Sequence, residues 1–402
     1  MMSECTTATP IRQVFFLCSC VMWIVVAGCT MEQATRVAPD VPARFENDAA
    51  SPPEKWPAQD WYRQFSSVEL NALIDEAARH NEDLAGARAR VRQADARARQ
   101  AGAAILPSLD AAGNANYLAG HSSQGGGHEL DWSAMLSASY EVDFWGKNRA
   151  AANSALLLAD AARADRDTVA LTTLAGVAGG YFRIMALQER RTIARSNRDA
   201  AREVLAVVQA RFDAGAAGPV ELAAQKSAMD TAEVAITDLE QQQGEALAAL
   251  ALPATVLTIP GIGPSFALGG SLLQPIFDHG RLRARRDEAV AKELELLTVY
   301  RSAIVAAFGD VENALRAAQQ SRRAMQFELD NAAQSERAFT GAKLRYESGS
   351  GDFLTLLEVQ QTLYAARDRV VQAKLARLQS LVGVCKALGG GWTEPPAAAM
   401  NR

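Results

Sequence analysis

The sequence predicts a mainly α-helical chain of very long helices, interrupted by antiparallel strands of the outer-membrane kind and built as an internal duplication. Three observations predict it. The 402 residues are 49% hydrophobic but only 6% aromatic, and the apolar share is largely alanine, the best helix former, which suits closely packed helices. Two segments near residue 120 alternate apolar and polar residues with period two. Two glycine-bearing motifs recur at a single offset of 134 residues. A net charge of −5 argues against a nucleic-acid partner bound through a basic stripe. The four histidines, His80, His121, His128 and His279, form no close His/Cys cluster, so neither a metal nor a cofactor is expected.

Val14 to Ala27 form an apolar stretch behind Arg12, too short to span a bilayer, and read as the core of a secretory signal. It ends in Val26-Ala27-Gly28-Cys29, which resembles the lipobox of bacterial lipoproteins, so residues 1–28 are expected to be removed and Cys29 to be acylated. Each buried CH₂ of the acyl chains contributes roughly 0.8 kcal/mol to membrane anchoring. Cys5, Cys18 and Cys20 precede the cut, leaving Cys385 without a disulfide partner. In similar lipoproteins a residue other than Asp after the cysteine, here Thr30, implies sorting to the outer membrane. Residues 29–65, rich in Pro, Asp and Ala without periodicity, read as a lipidated tether.

The first repeat is expected over 66–252. Val68 to Gly102 reads as helix, ended by Pro107. Ser108 to Tyr117 alternates, with Asp110, Asn114 and Asn116 opposite Leu109, Ala111, Ala115 and Tyr117. Trp132 to Phe144 alternates over thirteen positions, broken on its polar side by Met135. The polar stretch Gly120 to His128 reads as the loop of a hairpin that faces lipid on one side and a lumen on the other. From Gly146 to Asp213 the pattern is unbroken helix, on the order of 100 Å long. A returning helix follows from Pro219 to about Leu252.

The duplication is read from two motif pairs. RFDAGAAGPVEL at Arg211 matches RYESGSGDFLTL at Arg345, and YEVDFWGKNRA at Tyr140 matches QPIFDHGRLRA at Gln274. Gly146 and Gly280 turn the chain from strand into helix, and Gly215 and Gly349 turn one helix into the next. With its lipobox, its strands ending in FWGK and FDHGR and its paired R-[FY]-[DE]-x-G turns, the chain resembles the TolC/OprM-like outer-membrane efflux factors, in particular the NodT-type lipoproteins. The resemblance implies a homotrimer with one shared transmembrane β-barrel and a periplasmic coiled-coil tunnel. It also implies docking on a periplasmic adaptor and an inner-membrane pump of RND type, with a gated duct as the function rather than an enzyme. On the same resemblance, Leu354 and Glu358, four apart on one helix face, match the apolar and acidic gate positions. Leu354 as helix-packing core and Glu358 as a solvated charge is the competing reading. The turns at Arg211 to Gly218 and Arg345 to Gly351, with Arg211, Gly215, Arg345 and Gly349, match the adaptor-docking region.

The second repeat, 265–390, lacks partners for the first helix and first strand, and 391–402 form a tail. Only the junction 253–264 precedes its strand. A helix falling about 100 Å and one rising about 50 Å leave the chain roughly 50 Å short of the membrane, whereas twelve extended residues reach at most about 40 Å. Three strands per chain also give a trimer nine, an odd number for an antiparallel barrel. The expectation is an internal deletion of some 60 to 80 residues, in the gene or in its reading frame as assigned. A pore-less periplasmic adaptor or scaffold is the alternative function, and the lipid-facing alternation of Trp132 to Phe144 speaks against it. No nucleophile elbow or phosphate loop suggests an enzyme.

Overall fold

The computed structural model describes residues 60–122, 125–251 and 279–390, without the side chains of 116–122, 125–131, 251 and 282. The signal, Cys29, most of the tether, the junction, the second-repeat strand and the tail lie outside the described residues. A 3-10 helix, Trp61–Phe65, leads into α1 (Val68–His80) and α2 (Glu82–Ala103). Strands β1 (Ser108–Ser122) and β2 (Gly125–Ser139) follow. Then come α3 (Lys147–Asp213), α4 (Pro219–Ala251), α5 (Arg281–Glu347) and α6 (Phe353–Ala387). The described residues fall into two units, 95–158 and 60–94 with 159–390.

The 134-residue offset is built into the backbone. Helices α3 and α5 both have 67 residues, and they begin at Lys147 and Arg281, 134 apart. Their return helices begin at Pro219 and Phe353, again 134 apart. Gly146 and Gly280 hold φ of 73° and 85°, and Gly215 and Gly349 hold 72° and 75°, a region costly for residues with a Cβ. Both long helices close on the same Schellman motif. Ala216 N–H donates to the Arg211 carbonyl at 2.8 Å and Gly215 N–H to Phe212 at 2.9 Å; Ser350 donates to Arg345 at 2.9 Å and Gly349 to Tyr346 at 3.1 Å. The α6 start is capped by Asp352, whose Oδ1 accepts from the Leu354 and Thr355 amides at 2.8 and 3.1 Å. The Thr355 hydroxyl, which donates to Asp352 Oδ2, and then the Thr355 and Leu354 amides hold the Asp352 carboxyl below its ordinary value.

In the unit of residues 95–158 the hairpin has the alternation expected of it and a longer ladder. Leu109 lies opposite Ala138, Ala111 opposite Leu136 and Ala115 opposite Trp132, and directly opposed residues share a face. Ser108, Asp110 and Asn114 face Ser139, Ser137 and Ser133 on the other side, with Met135 opposite Ala112. Among the described residues nothing covers the apolar face: Trp132, Leu136 and Leu109 are 73%, 70% and 69% exposed. Pairing continues through Gly120 opposite Gly127 to Ser122 opposite Gly125, where a loop was expected. Gly and Ser there report a solvated position, which is compatible with backbone pairing. At the other end β2 stops at Ser139 instead of Phe144, because β1 begins at Ser108 behind Pro107 and offers Tyr140 to Phe144 no partner.

The second unit has three core clusters. Trp61 and Tyr62, the last part of the expected tether, pack with Leu70, Ile74, Ala178, Phe182 and Val382. A second cluster joins Val204 and Val208 to Phe339, Tyr346, Phe353, Leu356 and Leu363, and a third joins Ile184 and Leu187 to Ile236 and Leu239. Helix α3 is long and apolar enough by composition to cross a membrane, but its Ala175, Ala178 and Phe182 are core residues of the first cluster. The helix expected from Val68 to Gly102 breaks at Asn81, whose ψ of 125° ends α1 and whose Oδ1 accepts from Leu84 N–H at 3.0 Å to start α2. Alanine-arginine patterning masked that cap.

Two substitutions separate the turn glycines from ordinary helical ones. An added Cβ meets nothing within 4 Å at either Gly349 or Gly176. Gly349→Ala is therefore expected to destabilise by roughly 1–2 kcal/mol through its φ alone. Gly176→Ala, inside α3, is expected to stabilise by roughly 0.5–1 kcal/mol, and thermal unfolding in detergent reads both signs. Asp352→Ala is expected to lower the unfolding midpoint at about pH 7. Because the folded carboxyl titrates below its unfolded value, the cap's contribution persists above that value and fades as pH falls through the folded one. Wild type and Asp352→Ala should therefore converge as pH falls below the ordinary carboxylate range.

Candidate functional site

The residues singled out by sequence gather where α3 meets α4 and α5 meets α6. Helix α6 buries Phe353, Leu356, Gln360 and Leu363, spaced three, four and three apart, the seam of a coiled coil. Leu354 and Glu358 fall off that seam onto one exposed face; Leu354 is 72% exposed. Leu354 is thus no part of the protomer's packing core, and the second cluster uses Leu356 and Leu363 in its place. The equivalent positions of the first repeat are Val220, 79% exposed, and Ala224, so the carboxylate is confined to the second repeat.

The two turn arginines have different surroundings. Arg211 is half-buried, donates from Nη1 to the Tyr346 carbonyl at 2.6 Å and sits over the Tyr346 ring, 4.5 Å from its centroid. Its Nε is buried and finds no partner among the described residues. Tyr346 is 2% exposed, packs against Phe353 with ring centroids 6.0 Å apart and donates its hydroxyl to Glu221 at 3.2 Å. Burial first and the Glu221 carboxylate second push the Tyr346 hydroxyl above its ordinary value, which keeps it a donor. Arg211, Tyr346 and Glu221 therefore tie the two helical turns together. Arg345, by contrast, is exposed together with Gly349 and Ser350, and so are Gly215 and Ala216. Gly146 and Gly280 hold the turns into α3 and α5, apart from this cluster in sequence.

The Arg211–Tyr346–Glu221 network was not anticipated from sequence. Its one visible signal is the difference between Phe212 and Tyr346 at matched positions, a hydroxyl gained in one repeat only. Further along the same packing, a cavity of about 410 Å³ lies between α3, α4 and α6. Within its polar lining Arg190 pairs with Asp368 at 2.6 and 3.1 Å, Asn197 with Arg367 at 3.1 Å, and the Gln360 amide NH₂ with Tyr364 at 2.8 Å, while Gln360 Oε1 is buried without a partner among the described residues. Among the described residues no group of three or more His, Cys, Asp or Glu side chains could hold a metal ion.

The sequence matches the outer membrane efflux protein family over residues 73–253 and 263–390. It is 37% identical to the pyoverdine export outer membrane protein OpmQ of Pseudomonas aeruginosa, covering 87% of this chain and 91% of that protein. The OpmQ of Pseudomonas putida is 34% identical, covering 94% and 97%. In fold the chain is similar to the CmeC outer membrane channel of Campylobacter jejuni, with a TM-score of 0.78 at 18% identity over 93% of this chain and 97% of that one. Helices of this length, a lipid-facing hairpin and a duplicated plan meet in one assignment: the chain belongs to the outer membrane efflux protein family, the outer-membrane channel components of efflux systems.

Proposed function

We propose that three copies of this chain form a channel anchored in the outer membrane through acylated Cys29, docked on a periplasmic adaptor and an inner-membrane pump of RND type. Leu354 and Glu358 face the axis as the gate, a dewetting ring followed by a cation-favouring one. The exposed turns at Gly215 and Arg345–Gly349 receive the adaptor, while Arg211, already engaged with Tyr346, braces the turns from within. The cargo is of the siderophore class. The observation that carries this reading is the 37% identity to a pyoverdine exporter along nine-tenths of both chains.

The chain is also internally shortened in its second repeat. The alignment with the Pseudomonas aeruginosa relative runs over 432 positions but uses 87% of this chain, about 350 residues, so roughly 80 positions have no residue of this chain opposite them. The family match is interrupted between 253 and 263. The structure supplies a physical counterpart. Early in α3, Asn148, Ala152 and Ala159 are buried, whereas the matching stretch of α5, 283–301, is exposed except at half-buried Leu297. Val290, Leu294, Leu296, Val299 and Tyr300 thus lie open on a helix that a missing neighbour would cover.

Export of a fluorescent siderophore in a channel-null cell tests both parts, with this chain and with one carrying the relative's segment between Ala251 and the second-repeat strand. Recovery with the lengthened chain alone is expected. Recovery with the given chain overturns the shortening, and failure of both overturns the cargo. Single-channel recording of the lengthened channel reads the gate. Glu358→Gln is expected to reduce cation preference with little change in stability, and Leu354→Ser to raise the open fraction several-fold. An unchanged ion preference in Glu358→Gln would remove that residue from the gate.

A further inference from the structure

Five polar contacts join α3 to the second repeat within the chain, and the offset assigns each a counterpart. Glu189 meets Lys374 at 2.6 Å, Arg190 meets Asp368 at 2.6 Å and Asn197 meets Arg367 at 3.1 Å. Glu203 meets Lys343 at 3.0 Å and Arg211 meets Tyr346 at 2.6 Å. Each runs from α3 of the first repeat to α5 or α6 of the second. If the second repeat of one copy meets the first repeat of the next by the same step, the partners move by 134 in opposite senses. The counterparts are then Arg323 with Glu240, Ala324 with Val234, Asn331 with Glu233, Arg337 with Gln209 and Arg345 with Phe212.

We infer that these five pairs form the interface between neighbouring copies, with α5 of one copy seated on α3 and α4 of the next. The inference rests on the trimer reading and gives it a register. A head-to-tail contact between like units closes into a ring when its rotation allows, and on the trimer reading the ring would have six repeats from three chains.

The side chains carry the argument. A Glu–Lys rung becomes an Arg–Glu rung with its signs exchanged. The Arg190–Asp368 ion pair becomes Ala324 against Val234, which is left 59% exposed in the single chain. An Asn–Arg hydrogen bond becomes Asn331 donating to Glu233, and Glu–Lys becomes Arg337 donating to Gln209. The guanidinium of Arg345 comes to the ring of Phe212 as that of Arg211 does to Tyr346. Where Tyr346 has a hydroxyl bound to Glu221, the counterpart lacks both members: Phe212 has no hydroxyl and position 355 is Thr. No rung pairs like charges or an apolar group with a charge other than a cation on a ring.

Exposure agrees with chemistry. Arg323, Ala324, Asn331, Arg337 and Arg345 are all exposed in the single chain, as are Glu240, Val234, Glu233 and Phe212, with Gln209 half-buried. Glu240 and Glu233 also lie 3.0 and 3.7 Å from Arg195 and Arg198 of their own hairpin, so each carboxylate is shared.

Paired cysteines in the full chain, in a Cys385→Ser background, test the register with a short bismaleimide. Glu240→Cys with Arg323→Cys is expected to give dimer and trimer bands, with neither single variant doing so. Glu240→Cys with Arg316→Cys, two turns away, is expected to lose those bands. Glu189→Cys with Lys374→Cys is expected to link within one chain and leave its mass unchanged. Light scattering in detergent reports the trimer independently. A trimer in which the shifted pair links and the registered pair does not overturns the ladder and leaves the trimer standing, whereas a monomer overturns both.

Discussion

A helix of 67 residues, about 100 Å long, has more side to cover than a single return helix can supply, and this governs the rest of the structure. The buried seam of α6 is narrow, one residue every three or four, and the core is divided into three separate clusters instead of one. Small residues such as Ala175, Ala178, Ala194 and Ala201 occupy buried positions, which allows close helix approach at the cost of apolar area. Stability must therefore be gathered along the length, rung by rung. Duplication provides the second set of helices, and further copies of the chain would provide the remainder.

What was legible from sequence followed from chemistry that acts locally. The turn glycines need left-handed φ, so their spacing transmitted the repeat length directly into matched helix starts at Lys147 and Arg281 and at Pro219 and Phe353. The hairpin faces were legible because alternation reports which side meets water. Strand ends were not, because they depend on a partner strand, and β1 has none to offer beyond Ser108. The break at Asn81 escaped for a related reason: one side-chain cap outweighs the propensity of the alanines around it. At the tip, Leu354 and Glu358 were placed on one face correctly by their spacing, but the network through Arg211, Tyr346 and Glu221 joins residues 135 and 125 positions apart and leaves no periodic trace.

The exposed flank of α5 is the same constraint seen from its failure. In the first repeat the start of the long helix has buried positions at Asn148, Ala152 and Ala159; in the second, Val290, Leu294 and Leu296 face outward. At about 25 cal/mol per Å², an apolar stripe of several large side chains left in water forgoes a few kcal/mol, comparable to a large part of a domain's net stability. Apolar residues kept on a helix flank without cover are what the proposed shortening of the second repeat would leave behind.

Duplication followed by divergence would also resolve an electrostatic problem at the proposed gate. In a ring of six equivalent helix starts, six carboxylates at one level would repel one another and each would titrate upward. Position 358 is Glu and its counterpart 224 is Ala, while 354 is Leu and its counterpart 220 is Val. Apolar residues can occupy all six places at one level without penalty, and they do. Charge occupies alternate places only, so in a closed ring intervening alanines would separate the three acids and ease their mutual repulsion. The same alternation places a Tyr–Glu pair within each chain and a Phe–Thr pair between chains, which puts the stronger polar tie inside the protomer and the more easily parted one at the seam. A channel that must open without dissolving its subunits needs that order of strengths.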